Sequence, residues 1–151
     1  MNQGNYTVGA NVRDAACYIA WAFARAYDPE VLKKYVPDLS SNLLITCIYD
    51  REVNCRRAAS AAFQEHVGRQ GQFPHGIEIL TEADYFTIGI RSNSYLNVGL
   101  FVASYEDYYE PFVEHLTFVK LRHVDIEVRR LAAAALSLLT PLNPKVIAGL
   151  T

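Results

Sequence analysis

Three groups of residues in this chain have types that could do chemistry. Cys55 and His66 could act as a thiol–imidazole pair, with the imidazole drawing the proton from the thiol to make a nucleophile. Cys55, however, shares a face with Ala59, Ala62 and Phe63, and a thiol packed among apolar side chains is inert. Glu78, Glu82 and Asp84 form a small acidic cluster. Neighbouring carboxylates can divide general-acid and general-base duty, but a solvated helix face carries charges at the same spacing. The segment GRQGQFPHG, Gly68 to Gly76, places Arg69, Gln70, Phe73 and His75 among glycines. Glycines beside an arginine can cradle phosphate, yet the lysine and the GxxxxGK[ST] spacing of a nucleotide loop are missing. A protein-contact loop and a plain connection fit it equally. None of His66, His75, His115 and His123 pairs with a cysteine or carboxylate at zinc-type spacing. The expectation is no catalytic residue, no metal and no cofactor; loss of an activity in a folded Cys55→Ser protein would argue for an enzyme instead.

The elements around these residues repeat. Four stretches, 11–27, 54–68 (running on to 71), 90–105 and 127–139, each open on an arginine followed by small and apolar residues. The anchors are Arg13, Arg56, Arg91 and Arg129, spaced by 35 to 43 residues, and the third stretch is the least regular. Helical-pair repeats of the HEAT and armadillo type recur at roughly 40–47 residues. The apolar positions fall at helical spacing. They are Val12, Ala16, Ile19, Phe23 and Ala26 in the first stretch and Cys55, Ala59, Ala62 and Phe63 in the second. In the fourth they are Val128, Leu131, Ala132, Ala135, Leu138 and Leu139. Partner helices are predicted between them. Asp28 and Pro29 read as an N-cap and first helical residue of a helix reaching about Tyr49, with a kink or split at Pro37. Pro111 is placed near the start of a helix over about 109–121, Asp125 at an N-cap, and a short helix within 77–86. The result is an all-α, HEAT/armadillo-like solenoid of about three to four repeats, one segment over 1–151. Its first repeat lacks a partner helix unless residues 1–10 supply part of it. Neither end reads as a polar cap, so the expectation is a fragment of a longer array. Arg13, Arg56 and Arg129 recur at one repeat position. They are read as a structural ladder bonding acidic groups or helix C-terminal carbonyls of neighbouring repeats.

Composition narrows the function classes. The chain is 51% hydrophobic and 20% charged with a net charge of −2, which fits a folded domain. No basic tract points to nucleic acid, and no apolar run nears the ~20 residues of a membrane span. The N-terminus reads as lacking a signal peptide. The odd count of cysteines, Cys17, Cys47 and Cys55, then suggests reduced thiols in helix cores. The aromatics Phe101, Tyr105, Tyr108, Tyr109 and Phe112 are read as packing between the third and fourth repeats. Glu106, Asp107 and Glu110 stand where nucleic-acid stacking would need bases.

Partner binding is the remaining class. Asp14, Tyr18, Trp21 and Arg25 lie one or two turns apart on the first helix, away from the centre of its assigned apolar face. The matching stripe on the second motif helix is Arg57, Ala61, Gln64 and Gly68. The corresponding helices of solenoids line the concave surface, where partners dock, and Trp, Tyr and Arg dominate interfaces. With Arg69 and His75 of the loop, the candidates are Asp14, Tyr18, Trp21, Arg25, Arg57, Gln64, Arg69 and His75. The competing reading packs Tyr18 and Trp21 on a preceding repeat and leaves Arg57 and Gln64 on a solvated face.

The strings NVRDAACYIAWAFARAY (11–27), NCRRAASAAFQEHVGRQGQFPHGIEIL (54–80) and ADYFTIGIRSNSYL (83–96) are long and ungapped. Together they closely resemble the tubulin-folding cofactor D family, over about Thr7 to Leu139. The resemblance implies one central stretch of a larger HEAT-repeat chaperone. It implies a scaffold that binds β-tubulin, joins other tubulin-folding cofactors and builds or dismantles the tubulin heterodimer. It also implies a link to an Arf-like small GTPase, GTPase activation only within a multi-cofactor complex, and a cytoplasmic, cytoskeleton- or centrosome-associated place. It assigns no functional residue to a numbered position. Two alternatives stay open: a HEAT scaffold of another regulatory or trafficking complex, and a piece with no function alone.

Overall fold

The computed structural model describes residues 2–3, 6–7 and 9–150, with side chains from residue 9 onward. Two short strands, β1 (Asn2–Gln3) and β2 (Tyr6–Thr7), pair antiparallel with Asn2 opposite Thr7. Residues 2–3 and 6–7 are extended and supply no part of a partner helix for the first repeat, and residues 1, 4, 5 and 8 lie outside the described residues.

Helices make up the rest, and local chemistry sets their ends. The motif helix α1 spans Ala10–Ala26. The predicted 28–49 helix is split into α2 (Pro29–Leu32), a 3-10 turn (Lys33–Tyr35) and α3 (Val36–Tyr49). Pro37 becomes the second residue of α3, where no backbone N–H is required. Asp28 has the extended backbone of an N-cap, but its side chain makes no capping bond. The second motif helix, α4 (Val53–Arg69), carries Gly68 inside it, so the loop begins later than predicted. Gly71, at φ 67°, turns the chain, and α5 (Gly76–Glu82) follows.

The third motif helix runs over 91–103 as α6 (Arg91–Asn93), a π turn (Ser94–Val98) and α7 (Gly99–Ala103). Helix α8 spans Glu106–Phe118, earlier than the predicted 109–121. Its first turn holds Glu106 and Asp107, which favour a helix N-terminus. Pro111 thus lies inside the helix, where it removes one bond to the preceding turn. After a 3-10 turn (Lys120–Arg122), Asp125 caps α9 (Ile126–Leu139) by accepting from the Glu127 N–H at 2.9 Å. A last turn leads into α10 (Pro144–Gly149).

Helices α1 and α4 run parallel, as equivalent helices of successive repeats do. Cys55 Sγ bonds the Ala10 carbonyl, His66 Nε2 the Ala20 carbonyl and Gln70 Nε2 the Ala24 carbonyl, a nearly constant offset of 45 or 46 residues. The stack continues differently beyond α4. The 91–103 helix packs on α3, α8 and α9, while the 83–90 turn rests against α4 through Ser60, Arg56 and Arg57. One contiguous core runs from Cys17 and Ala20 through α3, α4 and α8 to Leu139. Tyr108, Tyr109 and Phe112 are buried in it, in line with the packing role predicted for them.

The buried face of α1 differs from the one predicted. Cys17, Ala20 and Ala24 face α4, whereas Val12, Ile19 and Phe23 are 72%, 51% and 39% exposed and Ala16 and Ala26 are also open. Small residues allow the two helices to approach closely. The bulkier stripe therefore points away from α4. On α4, all four predicted residues are buried; on α9, Leu138 is exposed and the half-buried Leu136 packs on the core instead.

The arginine ladder between repeats is present at Arg13 and Arg56, whereas Arg129 bonds the turn that leads into its own helix. Arg13 grips the Asp50 carboxylate at 2.6 and 3.2 Å. Arg56, 2% exposed, donates to the carbonyls of Asp50, Arg51, Ile88 and Gly89 at 2.7–3.2 Å. Arg91 donates to the Arg51 carbonyl, and Arg129 to those of His123 and Val124. A planar guanidinium can serve several divergent acceptors at once, and an ammonium cannot reproduce that fork. Arg56→Met is expected to cost about 3–5 kcal/mol by leaving these carbonyls unpaired, and Arg56→Lys to recover only part of it, in urea unfolding.

Tyr49 fixes the path of the 91–103 helix. Ser94 Oγ donates to the Ile48 carbonyl and the Tyr95 hydroxyl to the Tyr49 carbonyl, both at 2.6 Å. A Cβ at Gly99 would stand 2.6 Å from the Tyr49 hydroxyl. That hydroxyl is buried with no hydrogen-bond partner among the described residues. Tyr49→Phe should therefore stabilise the fold by about 1 kcal/mol. Gly99→Ala should cost about 1–3 kcal/mol in the native chain and measurably less in the Tyr49→Phe background, read by a double-mutant cycle of unfolding free energies.

Candidate partner-binding surface

Helix α1 turns an aromatic and basic strip to solvent. Tyr18 is 67% exposed and stacks on Trp21 with ring centres 5.7 Å apart. The Arg25 guanidinium lies 4.9 Å over the indole, a cation–π contact. Trp21 is half-buried and rests on the core, so a rigid base carries the exposed ring of Tyr18. Asp14 stands exposed one turn before it.

The strip extends onto α4 through Glu65. This carboxylate accepts from Arg25 at 3.2 Å and from Arg69 of its own helix. The paired arginines hold its pKa below the ordinary value. Gln64 and Ala61 are exposed beside it. The structure thus joins Tyr18, Trp21, Arg25 and Arg69 into one surface across two repeats, and Gln64 is exposed next to Glu65 in the chain. Glu65, the link between them, is missing from the sequence-derived candidates, although its position four residues before Arg69 carries the signal for that pair.

Arg57 and His75 sit elsewhere. Arg57 lies 3.7 Å over the Tyr85 ring, and its Nε reaches the Tyr85 carbonyl, so it fastens the 83–90 turn to α4. His75, in the left-handed region at φ 54°, stacks on Tyr105 at 4.0 Å and lies 3.6 Å from the Asp107 carboxylate. It therefore belongs to the turn between α7 and α8. Gln70 donates to the Ala24 and Tyr27 carbonyls, closing the C-terminal end of α1.

A second open surface lies beside this end. Phe23, Tyr27, Val31, Tyr35 and Leu39 line an apolar hollow of about 540 Å³. Periodicity had assigned Phe23 to the core, so the sequence concealed it.

The residues first considered for chemistry are held in structural roles. Cys55 donates to the Ala10 carbonyl and His66 bonds the Ala20 carbonyl, so each side chain is turned to a different site on α1. Burial raises all three thiols, Cys17 and Cys55 to about 11 and Cys47 to about 12, and all are free. Asp84 accepts the Phe86 and Thr87 N–H groups and shapes a turn, while Glu78 and Glu82 are exposed. Phe73 is buried against Phe63 and His66. No helix among the described residues is long and apolar enough to cross a membrane.

Residues 1–77 match the family model described as tubulin-specific chaperone D-like, ARM repeats. The chain belongs to this family. It is 46% identical over 144 residues to tubulin-specific chaperone D of Dictyostelium discoideum, covering 94% of this chain and 10% of that protein. It is 32% identical over 142 residues to tubulin-folding cofactor D of Schizosaccharomyces pombe, covering 94% of this chain and 13% of that protein. The chain thus spans about a tenth of the length of these relatives. No solved structure matches it. The parallel α1–α4 stack is the repeat geometry that the family description names.

Two histidines, His66 in this stack and His115 on α8 against Tyr49, tie the stability of the fold to pH. His66 Nε2 faces a carbonyl, which only accepts, so Nε2 carries a proton. Burial lowers its pKa, and burial together with Lys120 pulls His115 down to about 4. A lowered histidine contributes stability that is present above its unfolded value near 6.5 and is lost as pH falls through the folded value. Unfolding free energy should therefore drop between pH 6.5 and 4, with roughly 1–3 kcal/mol of the drop removed in His115→Leu.

Proposed function

We propose that this chain is a segment of a tubulin-folding chaperone scaffold and that its Tyr18–Trp21–Arg25 surface contributes to holding β-tubulin. The observation that carries the proposal is an exposed, pre-stacked aromatic and arginine strip shared by two repeats. It belongs to a family whose relatives are named for tubulin folding. Aromatic and arginine anchors that need no ordering on binding suit an interface. Asp14, Gln64 and Arg69 border the strip, whereas Arg57 and His75 lie outside it, held by Tyr85 and Tyr105.

The scaffold acts without a catalytic centre of its own. It works in the cytoplasm with other tubulin-folding cofactors and an Arf-like small GTPase, and any GTPase activation arises in the assembled complex. Flanking helix pairs would cover the apolar face of Val12, Ile19 and Phe23 in the longer array.

The test is capture of purified β-tubulin by this chain and by the same chain extended with its neighbouring repeats, at two salt concentrations. Tyr18→Ala changes an exposed side chain and should weaken binding about tenfold or more with unchanged thermal unfolding, and Arg25→Glu should weaken it as much. Binding by the extended chain that ignores both substitutions would refute the surface. Failure of that chain to retain β-tubulin at all would refute the tubulin reading.

A further inference from the structure

The C-terminal ends of α3 and α8 and the N-terminal half of α1 enclose a cleft of about 280 Å³. Arg13, Asp50, Arg51, His115, Lys120 and His123 line it. We infer that this cleft is a binding site for a phosphate group, held by the Lys120 ammonium and the His123 imidazole.

Lys120 is the decisive residue. It is 7% exposed, and its ammonium, which meets solvent only through the cleft, makes no hydrogen bond or ion pair among the described residues. Buried charges in folded proteins are paired, because an unpaired one forfeits its hydration without return. The lysine follows α8, in the 3-10 turn Lys120–Arg122, and lines the cleft.

The carboxylates nearby are already engaged. Asp50, the one acidic residue lining the cleft, accepts two bonds from Arg13 and one from the Glu52 N–H at 2.9 Å. Glu52 and Asp125 pair with Arg51 at 3.4 and 3.0 Å. Arg56 and Arg91 donate to neutral carbonyls around Asp50 and Gly89, so their charges stay uncancelled. Cations at this junction thus outnumber carboxylates, and the excess favours a dianion over a single carboxylate.

The two histidines supply direction. The Asp125 N–H donates to His123 Nδ1 at 3.0 Å, which places the ring proton on Nε2 as a donor. Burial and Lys120 lower the pKa of both His123 and His115, so both rings are neutral near pH 7. Burial likewise lowers Lys120 to about 8, with Arg13, Arg91 and Arg56 opposing the help of Asp50. The lysine is still mostly protonated at pH 7, and an anion beside it would raise its pKa again.

The test titrates inorganic phosphate into the protein at constant ionic strength, following the His115 and His123 ring resonances and Tm. Saturable shifts and a rise in Tm are expected, with chloride inert and acetate at least tenfold weaker. A small phosphomonoester such as glycerol phosphate separates the sources. Tighter binding than inorganic phosphate assigns the site to an ester, and equal binding to the free ion. Lys120→Met should raise Tm in the absence of phosphate and abolish the response. In the unsubstituted protein, affinity should fall as pH rises above about 8. Absence of saturation, a response no stronger than acetate's, a Lys120→Met protein that responds like the parent, or affinity unchanged from pH 7 to 9.5 would each overturn the proposal.

Discussion

A single buried guanidinium holds the second repeat to its neighbours. Arg56 sits at the start of α4, where the chain has just left α3, and it reaches the carbonyls that close α3 and those of the 83–90 turn. A helix C-terminus leaves carbonyls without partners, and a buried turn does the same. One side chain answers both needs. Arg13 and Arg91 meet the same junction from either side, through the Asp50 carboxylate and the Arg51 carbonyl. The path of the chain between residues 50 and 91 follows from this cluster.

Much of this was legible in the sequence because arginine at the head of each motif helix has few uses inside a protein other than gathering carbonyls or carboxylates. The recurrence of Arg13, Arg56 and Arg129 therefore gave the repeat, and the first two gave the ladder, while Arg129 serves only its own turn. The face of α1 was not legible. A solenoid helix carries two apolar stripes, one toward its own repeat and one toward the next. Periodicity favours the bulkier stripe, and here Cys17, Ala20 and Ala24 make the closer contact.

The binding surface was half legible. Spacing alone placed Tyr18, Trp21 and Arg25 together, and the structure stacks them. Arg57 and His75 shared the right residue types but were claimed by local partners, Tyr85 and Tyr105, that no periodic pattern connects to them. The Lys120 cleft could not be read at all. It draws on α1, the end of α3 and the turn after α8, so its residues converge only once the repeats have stacked.

The seam between α1 and α4 is asymmetric in what it demands of sequence. Apart from the exposed Arg25–Glu65 pair, its hydrogen bonds described above run from side chains of the later repeat, Cys55, His66 and Gln70, to main-chain carbonyls of the earlier one. Every residue type supplies a carbonyl, and a helical carbonyl has a second lone pair to give. The receiving helix is thus free to change its side chains at those positions wherever packing allows, while the donating helix must keep both the chemistry and the reach of its own. Variation can accumulate on one side of such a joint without loosening it, so an array built this way can remodel one face of a repeat while the next repeat still recognises it.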